Sequence, residues 1–359
     1  MVGGINMLNS KRVEKVRALM REKDLKQVLI CDPVSIFYLS GQMYYPGERF
    51  LGLLINHNEY HLFLNELFPS SEENKVYFSD SDNLNEVLKP YLLLDEKLGV
   101  DKNMMARFLL PLQEIVTCVN GSYVVDEARA VKDEDEIKKM KEASLVNDKA
   151  MAIFKTLIKE GVSEKEVADK LLAIYQDLGA SDFSFEPIVA FGKNAADPHH
   201  IPDDTILKEG DAIIFDVGCV LNGYCSDMTR TFFYKSVSEK GREIYNLVRK
   251  ANEEAERMLK EGIRLCDIDK KARDIIAEGG YGKDFTHRLG HFIGIDVHEF
   301  GDVSSANPNF TKVGNIFSIE PGIYNQESGI GVRIEDLVLI EKDGASILNN
   351  YSHELEIIE

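Results

Sequence analysis

The sequence predicts two domains, an α/β domain over residues 1–129 and an α+β domain over residues 130–359. Three observations carry that expectation. A chain of 359 residues exceeds what one ordinary core serves. Its first third alternates short apolar runs with helically spaced segments, and its second part repeats itself.

In the first part, Val13, Val16, Leu19 and Met20 give Ser10 to Lys23 one apolar helical side, and Gln27 to Cys31 follows as a short buried strand. Phe50 to Ile55 and Tyr60 to Leu64, separated by Asn56-His-Asn-Glu59, predict a hairpin. A strand at Lys75 to Phe78, a helix around Leu84 to Leu92 and a strand at Leu98 to Val100 continue the alternation, with Ser70 to Glu73 as a solvated loop. The domain closes near Tyr123 to Val125. The charged stretch Val131 to Ile137 then opens an amphipathic helix predicted to reach about Lys159.

In the second part, Glu160-Gly-Val162 with Val167 to Lys170 recurs as Glu261-Gly-Ile263 with Ile268 to Lys271. Leu207 to Gly218 recurs as Thr311 to Gly322, which lays Asp216 over Glu320. Each copy reads as a helix, a strand ending in an acid, and a return strand carrying another. The return strands are Tyr224 to Phe233, with Asp227, and Val332 to Ile340, with Glu335. Asn222-Gly223 is a strong two-residue hairpin signal. It pairs Leu221 with Tyr224 and Asp216 with Thr229, leaving Asp216 and Asp227 as diagonal neighbours on one face, roughly 5.5–8 Å apart. Packing the copies about an approximate two-fold axis gathers four carboxylates. Unneutralised, they would repel and their pKa values would rise, so a divalent cation is implied. Oxygen ligands suit Mn²⁺, Co²⁺ or Mg²⁺. His287, His291 and His298, set among glycines and apolar residues, offer a fifth ligand and hydrogen-bonding groups beside it. Two metals roughly 3.5–4 Å apart would acidify a bridging water and polarise a carbonyl, a design used for hydrolysis. Taken singly, Arg333 and Tyr324 also fit an ion-pair partner and a packing aromatic.

Composition removes other classes. A net charge of -19 argues against nucleic acid. No apolar run reaches the roughly 18 residues of a membrane span, and Met1 to Ser10 lacks signal-peptide character. Five scattered cysteines without a Cys-x-x-Cys pair favour reduced thiols and a cytoplasmic setting. No Gly-x-Ser-x-Gly elbow, phosphate loop or His-Glu-x-x-His helix is present.

The segments Phe215-Asp-Val-Gly218, Ser226 to Thr231, Gly290-His-Phe-Ile-Gly294, Ile319-Glu-Pro-Gly-Ile-Tyr324 and Gly331-Val-Arg-Ile-Glu-Asp336 resemble those of the pita-bread (creatinase/aminopeptidase-type) metallopeptidases. Within that family they resemble the Xaa-Pro dipeptidase (prolidase) and aminopeptidase P branch. The resemblance implies that Asp216, Asp227, His291, Glu320 and Glu335 hold two divalent metal ions, Mn²⁺ foremost and Co²⁺ as the alternative. It implies cleavage before proline by a hydroxide bridging them, the substrate being a small peptide with proline at its second position. Glu320 would be both ligand and proton acceptor. His298 would serve the tetrahedral intermediate or the departing nitrogen, and His199 the scissile carbonyl. His287 and Arg333 match substrate-contacting positions, and Tyr324 a proline-pocket residue. Some prolidases place an arginine shortly after the segment matching His298-Glu299, where it meets the substrate carboxylate. Phe300 to Ser304 offers none, and Arg288 is the substitute candidate. The reading is a dipeptidase releasing C-terminal proline. The alternatives are an Xaa-Pro aminopeptidase acting on longer peptides and a non-catalytic pita-bread binding protein. A homodimer follows by analogy.

Overall fold

In the computed structural model, which describes residues 8–359, the chain divides into two units between Arg129 and Ala130. The first is built on a six-stranded mixed sheet. Its order across the sheet is Lys75–Phe78, Tyr60–Asn65, Leu51–Asn56, Gln27–Ile30, Leu98–Val100, Cys118–Asn120. The expected hairpin sets Ile55 opposite Tyr60 and Leu51 opposite Leu64. Helix Ser10–Glu22 starts where the Asn9 side chain accepts from the Lys11 and Arg12 amides.

Four features of this unit depart from the sequence reading. Pro111 sits inside helix Ala106–Leu112 and masks it, and strand Cys118–Asn120 is too short to show a period. Tyr123 to Val125 opens a helix, Tyr123–Ala130, that carries the chain to the boundary. Glu72, expected in a solvated loop, is buried, and burial pushes its carboxyl pKa up. A local run of polar residues does not reveal what folds over it.

The second unit shows the repeat as two helix pairs, each followed by paired strands. The first pair is Glu134–Phe154 and Glu164–Asp177, each opened by a reciprocal capping box, Asp133 with Glu136 and Ser163 with Glu166. The Glu134 helix tightens into a 3₁₀ turn at Lys155–Leu157, short of Lys159. The second pair is Glu239–Glu256 and Leu265–Glu278. Aromatic rings of Phe154, Tyr175, Phe215 and Phe232 fill one core. Ile244, Val248, Ile268, Phe317 and Val338 belong to the other.

The first hairpin keeps one register from Leu221 opposite Tyr224 to Ala212 opposite Phe233, with Asp216 opposite Thr229. The second pairs Ile319 with Asp336 and Gly322 with Arg333, which sets Glu320 directly across from Glu335. The two acid pairs therefore differ, diagonal in one copy and opposed in the other. Neither return strand is continuous. Asp227 lies between Tyr224–Cys225 and Met228–Tyr234, and Ile334-Glu335 lies between Ile330–Arg333 and Asp336–Ile340.

Two glycines allow the close approaches this requires. A Cβ on Gly331 would lie 1.6 Å from the Ala195 carbonyl oxygen, and one on Gly290 would lie 1.8 Å from that of Ser318. Backbone cannot yield as a side-chain tip does. Gly331→Ala is therefore expected to destabilise the protein by about 2–3 kcal/mol, read as a lower urea midpoint. An unchanged midpoint would contradict the packing described.

Candidate active site

The acidic side chains stand where the ladders are interrupted. Glu320 separates Ile316–Ile319 from Gly322–Asn325, next to Pro321, which has no amide hydrogen to pair. His291 comes from the two-residue strand Gly290–His291. Its backbone amide donates to Ser318 Oγ at 3.0 Å, and that hydroxyl donates to Glu320 Oε1 at 3.0 Å, so one serine links the His291 main chain to a carboxylate. His291 Nε2 lies 3.4 Å from Asp227 Oδ2 and 3.6 Å from Glu320 Oε1. Asp227, His291 and Glu335, all buried, present ligand atoms within 4.8 Å of one another. Thr229 Oγ1 donates to Glu335 Oε2 at 2.6 Å and accepts from Arg333 Nε at 3.0 Å, while Arg333 Nη2 reaches Asp216 Oδ2 at 2.5 Å.

Burial drives the electrostatics. It pushes the Asp227 and Glu335 carboxyls well above the usual carboxylate range, and the neighbouring acids add to it. Asp216 is also raised, Arg333 pulling against burial. Oδ1 of Asp216 and Oδ1 of Asp227 are buried with no hydrogen-bond partner. Unpaired carboxylate oxygens, further acids and one imidazole fit a divalent cation that prefers oxygen and nitrogen ligands.

All five of these residues line one cavity of about 970 Å³. His199, His287, Arg288, His298 and Arg333 line it as well, so nine of the site residues expected beyond Tyr324 and Glu320 share its wall with Glu320 itself. Tyr324 does not. It is 4% exposed and stands behind the wall, its hydroxyl accepting from Arg333 Nη1 at 2.7 Å and meeting His287 Nε2 at 2.8 Å. His287 Nδ1 faces the Arg288 carbonyl at 2.7 Å, which can only accept, so Nδ1 carries the hydrogen and Nε2 takes the tyrosine proton. Arg333 is 3% exposed, and its guanidinium is engaged by Asp216, Thr229, Tyr324 and the Pro198 carbonyl. It braces the Asp216 carboxylate first. Burial and the nearby His291 push the His298 pKa down to about 4, so that imidazole is neutral near pH 7; its ring lies 4.3 Å from that of His291.

Several supporting residues were not legible beforehand. Arg230, 1% exposed, donates through Nη1 to the Glu335 carbonyl at 2.7 Å and through Nη2 to Asp336 Oδ1 at 2.7 Å, bracing the strand break from behind. An arginine inside the apolar run Met228 to Tyr234 was the available signal. Lys132 Nζ meets Glu299 Oε2 at 2.9 Å in a buried pair beside His298. Asp269 accepts from the Leu289 amide and pairs with Arg273, which donates to the His287 carbonyl at 2.7 Å. The i,i+4 spacing of Asp269 and Arg273 fits an ion pair, but nothing in linear order hints at their contacts to Leu289 and His287 or at Lys132 with Glu299.

Fold and site together define a metallopeptidase. The chain belongs to metallopeptidase family M24, whose model matches residues 138–342, and residues 12–131 match the creatinase/prolidase N-terminal domain. An uncharacterized peptidase of Staphylococcus epidermidis is 36% identical over 95% of this chain and 99% of its own. A recombinant prolidase from Thermococcus sibiricus is 35% identical, with a TM-score of 0.88 over 97% of this chain and 98% of that one. An X-Pro aminopeptidase from Thermotoga maritima is 28% identical, with a TM-score of 0.84 over 96% and 99%. The first unit is thus a creatinase-type N-terminal domain and the second a pita-bread domain. No helix among the described residues is long and apolar enough to cross a membrane.

The raised carboxyls give a pH prediction. Asp227 and Glu335 keep their protons to higher pH than free acids do, and a cation must displace those protons. Mn²⁺ binding should release protons, and affinity should fall as pH falls. Calorimetry in two buffers of different ionisation enthalpy reads the release directly, and buffer-independent heats would count against the ligand set. Asp227→Asn should weaken Mn²⁺ binding by more than roughly 100-fold, the upper end for outer-shell partners.

Proposed function

We propose that the protein is an Xaa-Pro dipeptidase that holds two divalent ions, Mn²⁺ foremost, and releases C-terminal proline from dipeptides. The observation that carries this reading is the convergence of five ligand-type side chains on one cavity, two of their carboxylate oxygens buried and unpaired. Likeness to a prolidase over almost the whole chain supports it.

Asp216, Asp227, His291, Glu320 and Glu335 would hold the ions. When bound, these supply Lewis-acid polarisation of the scissile carbonyl and acidify water toward neutral pH. Glu320, held by the Ser318 hydroxyl, accepts the proton of the attacking water. The new carbon–oxygen bond forms, the bond to the proline nitrogen breaks, and that nitrogen leaves with the proton Glu320 took up. His298, neutral at working pH, donates its ring N–H to the developing oxyanion or to the departing nitrogen. His199, exposed on the cavity wall, serves the carbonyl. Arg288, also exposed there, is the cation for the proline carboxylate.

A second reading, an aminopeptidase for longer peptides, is favoured by cavity size. About 970 Å³ is near the upper end of the ~300–1,000 Å³ that encloses drug-sized ligands. Incubation of Mn²⁺-loaded protein with Leu-Pro and with a longer Xaa-Pro peptide separates the two. Free proline from Leu-Pro is expected; cleavage of the longer peptide alone would replace the dipeptidase reading. Glu320→Gln should lower kcat by about 10²–10⁴-fold with far-UV circular dichroism unchanged, and near-normal turnover would remove Glu320 from its role. Metal analysis tests the non-catalytic alternative, and light scattering tests the homodimer.

A further inference from the structure

His199 sits on irregular chain between the strands Ile188–Phe191 and Ala212–Val217, where no ladder fixes it. The short 3₁₀ turn Gly192–Ala196 precedes it, and Asp197 to Asp203 has no strand partner. One buried group spans this segment. Glu164, the first residue of helix Glu164–Asp177, is fully buried, and four donors converge on its carboxylate. Oε1 accepts from the Phe191 amide at 2.6 Å and from Asn194 Nδ2 at 3.0 Å. Oε2 meets His200 Nε2 at 2.6 Å and accepts from the Asp203 amide at 3.1 Å. The partners lie before, within and after the turn, and one of them is the residue next to His199.

We propose that Glu164 is a positioning residue for His199, acting through His200 and the two flanking amides to fix the segment 192–203 against the cavity. The inference deepens the peptidase reading and rests on it. Glu164, His200 and Asp203 also form a group of metal-ligand type, but four protein donors already occupy the carboxylate, which makes the cluster a clamp and not a cation site. The nearby groups agree. Gln326 Nε2 donates to the Ala196 carbonyl at 2.5 Å and Arg333 Nη1 to that of Pro198 at 3.4 Å, so two further side chains hold carbonyls of the same segment. In the second copy, Asp269 with Arg273 does the same for the His287 segment.

The role is separable from general stability. Mispositioning a group that meets the substrate mainly in the transition state lowers kcat and leaves KM and metal affinity near their original values. Glu164→Gln, His200→Gln and His200→Ala are made alone and in a His199→Ala background, then assayed as Mn²⁺-loaded enzyme on Leu-Pro or the longer peptide. Glu164→Gln should lower kcat about 10–100-fold with Mn²⁺ affinity within about twofold of wild type. Hydrogen exchange should rise in peptides covering 192–203 but not in 212–217 or 228–234. In the His199→Ala background the same change should cost less than about twofold, since its target is gone. His200→Gln, which keeps a donor, should stay closer to wild type than His200→Ala, and this pair decides the matter if Glu164→Gln does not fold. An equal loss with and without His199, or unaltered exchange, overturns the proposal. If the wild-type enzyme cleaves neither peptide, the peptidase reading falls and the exchange comparison alone decides the clamp.

Discussion

Asp216, Asp227, Glu320 and Glu335 share one desolvated region, and holding that much potential negative charge together constrains everything around it. Taking a carboxylate out of water is costly unless charge or hydrogen bonds replace the solvent. The chain supplies part of the replacement itself. Arg333 meets Asp216, Thr229 links Arg333 to Glu335, and Ser318 joins His291 to Glu320. What remains unpaired, Oδ1 of Asp216 and of Asp227, is the share a divalent cation would complete.

The interrupted strands follow from that constraint. A residue inside a regular antiparallel ladder points to one face or the other, with no freedom to turn toward a common centre. Breaks at Asp227, at Glu320 and at Ile334-Glu335 release those side chains from strict alternation. Each break leaves backbone groups to be satisfied elsewhere, and buried side chains take them. Arg230 binds the Glu335 carbonyl, Asn349 the Asp227 carbonyl, and Asn252 the Ile319 carbonyl. A second layer of buried polar residues thereby fixes the first.

The same logic extends to the cavity histidines, none of which lies in a long ladder. Buried acids stand by three of them: Glu164 for the His199 segment, Asp269 with Arg273 for His287, and Glu299, paired with Lys132, next to His298 in the chain. Tyr324, expected at the pocket surface, instead stands one layer back and sets the tautomer of His287. The geometry of the cavity wall in this unit depends on how irregular segments are tethered as much as on the strands that carry the acids.

Local pattern and duplication were enough to give the sequence reading its hairpin register, its Asp216–Asp227 face and its alignment of Asp216 with Glu320. Turn chemistry and the two-residue alternation of strands act between near neighbours and leave their mark in linear order. The burial of Glu72, the split return strands, the recession of Tyr324 and the braces at Lys132 and Glu164 left no such mark, and Arg230 left only its place in an apolar run. The Glu164 and Lys132 braces reach partners 27 and 167 residues away, Phe191 and Glu299. Which polar group meets a distant donor is decided only when the elements pack, because desolvation and hydrogen bonding are properties of the assembled interior and not of the chain that enters it.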